Sequence, residues 1–220
     1  MANLVAGIDV GDLNKGFHLV ILREREIVCA PRSKDAADLL SVCIEHDVRL
    51  VGIDAPCQWS VGTAGRKAEK EMMKQRIFCF STPTEEKAQL GRDGFYGWML
   101  NGRRVFDLFA PHYPLMVEAY TDKPHMFETF PHAITCALLG TDTASAKKKR
   151  AQRRDILERS GIDTSSLRSI DDLDAALCAL TAQLHLEGRS RAYGDAEGGY
   201  IVVPNFRLPD TGASNRPLVR

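Results

Sequence analysis

Two aspartates in the first quarter of the chain each close a short apolar run, where a carboxylate can hold a cation or a phosphate. Asp9 follows LVAGI and Asp54 follows RLVGI. A third acidic group, within DDLDAALCALTA, opens a helix predicted from Ser169 to about Glu187. Clustered carboxylate oxygens are the ligands that Mg²⁺ and Mn²⁺ prefer. If the three regions converge, they predict a metal site.

The late helix carries the most diagnostic acid. Helical spacing places Asp171 and Asp174 together on one flank, since residues three apart are neighbours on a helix surface. Favourable interaction with the helix dipole explains acids in a first turn, such as Asp171 and Asp172. It explains Asp174 poorly, because Ala175 and Cys178 beside it are small and apolar, and a carboxylate among them is costly to bury without a partner.

The other candidates also have structural explanations, which the sequence leaves open. Asp9 and Asp54 could each cap a turn by accepting hydrogen bonds from nearby backbone amides. Glu128 lies near the end of a predicted strand, but Glu118 could serve instead, and a glutamate just before a helix also favours its N-terminus. His132 could be a ligand, a proton shuttle or an ordinary surface residue.

The elements that must position these acids follow an α/β pattern. Short apolar segments separated by turn-like sequence predict an antiparallel meander of three strands: residues 4–10, 16–22 and 26–30. A helix that Ser33 caps and that ends near His46 follows, and then a buried strand over 49–54. Such a crossover sets the fourth strand parallel beside the first. Asp9 and Asp54 are therefore expected at neighbouring strand ends.

We expect a single domain over residues 1–204 and a C-terminal tail at 205–220. Residues 57–123 are rich in turn signals, with helical patches near 65–76 and 96–109, and predict a large insertion or lid after the fourth strand. An irregular structural excursion is the alternative. Regular structure then resumes with a strand at 125–130, helices at 131–139 and 145–160, the helix that begins at Ser169, and a strand at 198–204.

Composition narrows the possible partners and the compartment. Lys plus Arg equals Asp plus Glu, so the formal net charge is zero and the chain has no general attraction to polyanions. The cysteines show no metal-binding spacing, which predicts reduced thiols and a cytoplasmic protein. No apolar run approaches the length of a membrane span.

Positive charge and aromatic rings are concentrated in a few places. A basic run on the helix at 145–160 is usually a solvated face, but in a neutral protein it is the best candidate for contacting phosphate. A looser basic group, including Arg66 and Arg76, stands beside FCFSTP. The aromatic residues Phe95, Tyr96 and Trp98 could stack on bases, although core packing explains aromatic residues more often. The predicted substrate-binding residues are Arg76, Lys147, Arg150 and Arg154.

In this order, the motifs resemble a known family. The meander, helix and parallel strand with acids at the strand ends resemble the ribonuclease H-like superfamily, and DDLDAALCAL is similar to the D-x-x-D-A start of the last helix of its Holliday-junction resolvases. More closely, a series of motifs spanning about residues 4–204 resembles the domain of unknown function family 429, a set of predicted ribonuclease H-fold nucleases. These motifs are GIDVG, GIDAP, RIFCFSTP, ETFPHAI, the Lys/Arg helix, DDLDAALCALTA and GGYIVVP.

The resemblance implies an α/β fold with a ribonuclease H-like mixed sheet, in which a three-strand antiparallel meander is joined to parallel strands and flanked by helices. It implies Asp9, Asp54, Glu128 and Asp174 as catalytic, metal-binding carboxylates, with Asp171 as a further ligand. Two Mg²⁺ or Mn²⁺ ions about 4 Å apart could activate water and stabilise the leaving oxygen of a phosphodiester. We therefore expect a metal-dependent nuclease acting on a nucleic acid or nucleotide.

The sequence also allows two other functions. A phosphotransferase of the actin, sugar-kinase and heat-shock-chaperone class shares this sheet and a similar GIDVG turn, but those proteins normally duplicate the fold over a far longer chain. Stabilisation by nucleotide would favour it. A non-catalytic binding or scaffold protein would fit the zero net charge, and melting unaffected by Mn²⁺ would favour it. The sequence determines neither the oligomeric state nor whether the substrate is DNA, RNA, a branched structure or a small nucleotide.

Overall fold

A mixed β-sheet runs through the centre of the molecule in the computed structural model, which describes residues 3–12, 14–62, 64–91, 94–118 and 123–209. Its strands lie in the order β3-β2-β1-β5-β6-β8-β7, and β4 pairs with β2. The strands are β1 (Leu4–Val10), β2 (Phe17–Arg23), β3 (Glu26–Cys29), β4 (Arg32–Ser33), β5 (Val48–Asp54), β6 (His125–Glu128), β7 (Ser190–Asp195) and β8 (Gly199–Pro204).

Helices cover both faces of this sheet. They are α1 (Ala36–Glu45), α2 (Lys67–Lys74), α3 (Glu85–Gln89), α4 (Gly97–Phe109), α5 (Pro131–Leu139), α6 (Lys149–Arg159), which follows a 3₁₀ turn at Ala146–Lys148, and α7 (Ile170–Leu186). Strands β1, β2 and β3 pair antiparallel, whereas β1, β5, β6 and β8 run parallel. This confirms the predicted α/β fold and its mixed sheet, in which a three-strand antiparallel meander is joined to parallel strands.

Three local features differ from the sequence-based expectation. Helix α1 is capped by Asp35, whose side chain accepts from the Ala37 amide, and not by Ser33, which belongs to the two-residue strand β4. Strand β7 was not predicted, because SRAYGD has no apolar alternation. It pairs antiparallel with β8 at the edge of the sheet, so the last predicted strand is half of a hairpin.

Alternation along β1 explains why its sequence reads as a nearly continuous apolar run. Ala6 and Ile8 face the cluster that contains α1 and α4, whereas Val5 faces the cluster that contains α7. Strands covered by helices on both faces need apolar residues at nearly every position. By the same period of two, Asp9 faces the α7 side, as does Asp54 at the end of β5.

The predicted insertion contributes to the core as well as to the surroundings of the strand ends. Val105, Phe106 and Phe109 of α4 are buried against the sheet. Helix α4 also holds the strand-end loops, because Asn101 donates to the Gly11 carbonyl. Within the predicted tail, residues 205–209 continue from β8, and residues 210–220 lie outside the described part of the chain.

Candidate metal centre

Two of the predicted acids meet at the same edge of the sheet. β1 and β5 are parallel and in register, with Asp9 directly opposite Asp54. Both side chains therefore project from the same edge of the sheet toward α7. The prediction that these aspartates lie at neighbouring strand ends is therefore confirmed by the strand register.

Glycines allow α7 to approach these strands closely. A side-chain carbon at Gly7 would lie 2.1 Å from the backbone of Ala175 and Ala179, and one at Gly52 would lie 2.8 Å from the Cys178 carbonyl. Each glycine stands two residues before a strand-end aspartate, so it faces the same side of the sheet. The repeated G-I-D sequence thus combines a contact for the helix with a carboxylate beside it.

The first turns of α7 bring two further acids to Asp9. Oxygen atoms of Asp9, Asp171 and Asp174 all lie within 4.8 Å of one another. Asp9 and Asp174 are buried, at 8% and 7% exposure. Asp172 points elsewhere: it forms a capping box with Ser169 at the start of the helix. The acid predicted to be diagnostic, Asp174, lies inside this cluster.

The pKa values of Asp9, Asp54 and Asp174 are all raised, first by burial and then by the charges of neighbouring acids. Burial, with the charges of Asp174 and Asp171 added, raises the pKa of Asp9 to about 8. Burial and then the charge of Asp9 hold the pKa of Asp54 well above its usual range. Burial raises the pKa of Asp174 to about 6, although Arg153 opposes the shift. Carboxylates that repel in this way favour a bound cation.

Arg153 on α6 is the cation closest to this cluster among the described residues. Its guanidinium donates to both oxygens of Asp174. The sequence shows Arg153 only as one member of a basic run, but its buried position distinguishes it from its exposed neighbours. Its place on the inner face of α6, three residues before Ile156, is the periodic signal that could have identified it.

Glu128 lies on the next strand, paired with Ile53, but its carboxylate is already engaged. Arg66 donates to both of its oxygens, at 3.2 and 2.6 Å, and the Cys57 amide donates at 2.8 Å. Arg66 is buried, with 1% of its side chain exposed, and so is not part of a surface basic group. The role of Glu128 as a metal ligand stays a prediction.

The predicted substrate-binding cations lie on the surface or bind the protein itself. Arg76 is exposed and pairs with Asp142, and Lys147 is exposed. Arg150 donates to the Arg168 carbonyl. Arg154 donates to Thr164 and to the Leu167 carbonyl, which ties α6 to the loop before α7. Their contact with a substrate also stays a prediction.

A network of hydrogen bonds and ion pairs centred on the buried Asp172 adjoins the cluster. His18 lies opposite Asp9 in the β1–β2 register and bonds Asp172 through Nδ1 at 2.8 Å, while its Nε2 is 3.9 Å from the Asp171 carboxylate. Arg32 binds Asp172 with two hydrogen bonds. Burial acts to raise the pKa of Asp172, but bonds from Ser169, His18 and Arg32 hold it well below its usual range. Asp172 is thus a fixed anion that orients His18 toward Asp171.

Comparison with known proteins identifies the family. The family model described as "Protein of unknown function (DUF429)" matches residues 7–198. The chain belongs to this family. This match confirms the resemblance drawn from the motifs. The description of the family names no reaction. No curated protein matches the sequence.

Solved structures with a similar shape include two of one protein. The Thermus thermophilus RuvC structure is 15% identical over 84% of this chain and 96% of that chain, with a TM-score of 0.46. T. thermophilus RuvC in complex with Holliday junction substrate has the same identity and coverage, with a TM-score of 0.43. Both similarities are too distant to bear on the reaction of this chain.

In the described ranges, no helix has the length and apolarity that crossing a bilayer would require.

Proposed function

We propose that the protein is a nuclease, a phosphodiester hydrolase that uses two divalent cations, Mg²⁺ or Mn²⁺, and acts on a nucleic acid or nucleotide. The observation that carries the proposal is the convergence of Asp9, Asp171 and Asp174 within 4.8 Å, from residues more than 150 positions apart. Three hard oxygen donors and no thiolate fit Mg²⁺ or Mn²⁺ better than zinc. Arg153 pairs with Asp174, and a bound cation would offset the charges of Asp9 and Asp171.

The protein's own residues have distinct tasks in this proposal. Asp9, Asp54, Asp171 and Asp174 would hold the cations, which when bound would activate water and neutralise charge on the phosphate. The Asp172–His18 pair orients Asp171. Arg153 compensates Asp174 and is placed to contact a phosphate beside it. Glu128 would have to exchange Arg66 for a cation in order to act as a further ligand.

Binding of Mn²⁺ should stabilise the protein, and more strongly at pH 8 than at pH 5. A cation present at a concentration of about a hundred times its Kd adds about 2.7 kcal/mol to the free energy of unfolding. In a chain of this length that corresponds to a rise in Tm of about 5–10 °C. At pH 5 the rise should nearly vanish, because Asp9, with a pKa of about 8, and Asp174, with a pKa of about 6, must lose their protons to bind.

The metal-free protein should show the opposite trend. Because the pKa of Asp9 is raised from 3.8 to about 8, the folded state holds the extra proton. This contribution to stability is complete below pH 3.8 and is lost as the pH rises through about 8. Differential scanning calorimetry of wild type, Asp9→Asn and the partly exposed control Asp155→Asn at both pH values measures both effects. The proposed site would be contradicted if Mn²⁺ does not stabilise wild type at pH 8, or if it stabilises Asp9→Asn as much as wild type.

A further inference from the structure

A cavity of about 440 Å³ opens directly beside the carboxylate cluster. It adjoins the proposed metal site, because Asp54, which lies opposite Asp9 in the sheet, and Arg153, which binds Asp174, both line it. Its size is in the range of small-ligand sites, roughly 300–1,000 Å³. Anything that binds here therefore lies next to the cations and to whatever they hold.

Aromatic side chains form much of the cavity wall. Phe78 and Phe80 line it although each is 67% exposed. Trp98 completes this wall, with its ring edge-on to Phe80 at 6.1 Å between centroids. Exposed rings beside a cavity leave their faces free to stack on a flat ligand. Trp98 is one of the aromatics for which the sequence left both stacking and core packing open.

Two buried polar groups in the same wall have no partner among the described residues. They are the Thr129 hydroxyl and the Arg153 Nε, and both residues line the cavity. Thr129 is fully buried, and its amide donates to the Ile53 carbonyl. Buried polar groups almost always have a partner. Here a bound ligand with hydrogen-bonding edges would supply it.

We infer that this cavity holds an unpaired nucleobase whose neighbouring phosphate lies at the carboxylate cluster. The inference rests on the proposed function and specifies its substrate class. A flat ring fits the aromatic wall. The polar edges of a base would supply partners for the Thr129 hydroxyl and the Arg153 Nε, and an attached phosphate fits the adjacent cation site. A base inside a duplex has both faces covered by its neighbours and cannot enter such a cavity without leaving the stack. The preferred substrate is therefore unpaired.

Binding by strands with and without bases tests this inference. The protein would carry Trp59→Phe, so that Trp98 is its one tryptophan, and Ca²⁺ would be the cation. The ligands are a short oligothymidylate, a strand of equal length made of abasic residues, a duplex and thymidine monophosphate. We expect the oligothymidylate to quench Trp98 fluorescence. It should bind at least about tenfold more tightly than the abasic strand, because the abasic strand has no bases to stack. The duplex should bind more weakly than the oligothymidylate.

A matched pair of variants locates the base. Phe80→Ala should weaken binding of a labelled oligothymidylate, measured by fluorescence anisotropy, by about tenfold, which is the loss of one stacked ring. Phe95→Ala removes a ring of similar exposure, 61%, that does not line the cavity, and should leave the affinity unchanged. Melting temperatures would show that both variants are folded. Thymidine monophosphate that binds as tightly as the strand would support the base site and identify a free nucleotide as its ligand.

The inference and the proposed function fail in different ways. Equal binding of abasic and base-bearing strands by wild type, or equal affinities of Phe80→Ala and Phe95→Ala, would overturn the base site even if the protein cleaves phosphodiesters. Base-dependent binding with no cleavage in Mg²⁺ or Mn²⁺ would uphold the base site and contradict the nuclease.

Discussion

Asp174→Asn is expected to lower the rate of Mg²⁺- or Mn²⁺-dependent phosphodiester cleavage by at least about a hundredfold. Loss of residues that merely support a metal ligand typically costs 10–100-fold, so loss of a ligand should cost no less. The substitution removes one of the three convergent carboxylate charges and keeps the shape of the side chain. The effect should appear in the rate at saturating substrate, because it acts on the cation site.

The matched control for this variant is Asp155→Asn. Asp155 is also an aspartate close to Arg153 in the chain, but it is partly exposed and pairs with Arg159 on its own helix. It should leave cleavage unchanged. Initial rates on a single-stranded oligonucleotide, at fixed Mn²⁺ and pH 8, measure both variants. Equal rates for Asp174→Asn and wild type would show that the cluster is not where the reaction takes place.

Arg66→Met is expected to destabilise the fold by about 3–5 kcal/mol, the usual result of removing one partner from a buried ion pair. Only 1% of the Arg66 side chain and 6% of the Glu128 side chain are exposed, so the remaining carboxylate would be left without compensation. Urea denaturation measures the change. Arg25→Met, which breaks the half-buried pair with Glu187, should cost about 1 kcal/mol or less.

A second substitution separates the structural role of Glu128 from metal binding. Glu128→Gln in the Arg66→Met background removes the uncompensated charge and should recover part of the lost stability. Mn²⁺ that stabilises Arg66→Met more than the double variant would identify Glu128 as a ligand. Equal destabilisation by Arg66→Met and Arg25→Met would show that burial gives the Arg66–Glu128 pair no special role in stability.

The general fold could be predicted from the sequence because its strongest signals are local. Short apolar runs and a helical crossover determine that β1 and β5 are parallel, which brings Asp9 opposite Asp54. Strand β7 could not be predicted in this way, since its polar sequence forms a strand only because β8 offers an open edge. Helix α1 is capped by Asp35 and not by the predicted Ser33, because Ser33 belongs to β4 and pairs with β2.

The site depended on contacts between distant elements, and the sequence predicted them only in part. The spacing of Asp171 and Asp174 is local and indicated a shared face, whereas only the helical spacing to the apolar Ile156 separates Arg153 from its basic neighbours. The pairing of Arg66 with Glu128 joins residues 62 positions apart and left no sequence signal. The glycine before each strand-end aspartate was a usable signal, because it indicates close packing of α7.

The most direct test of the proposed nuclease site is a cleavage assay in Mg²⁺ or Mn²⁺ over single-stranded, double-stranded, hybrid and branched substrates, with wild type beside Asp9→Asn. We predict metal-dependent cleavage that is abolished by chelation and by Asp9→Asn, and that is fastest where bases are unpaired. Failure of wild type to cleave any of these substrates, or equal cleavage by Asp9→Asn, would contradict the claim that the converging carboxylates form a nuclease site.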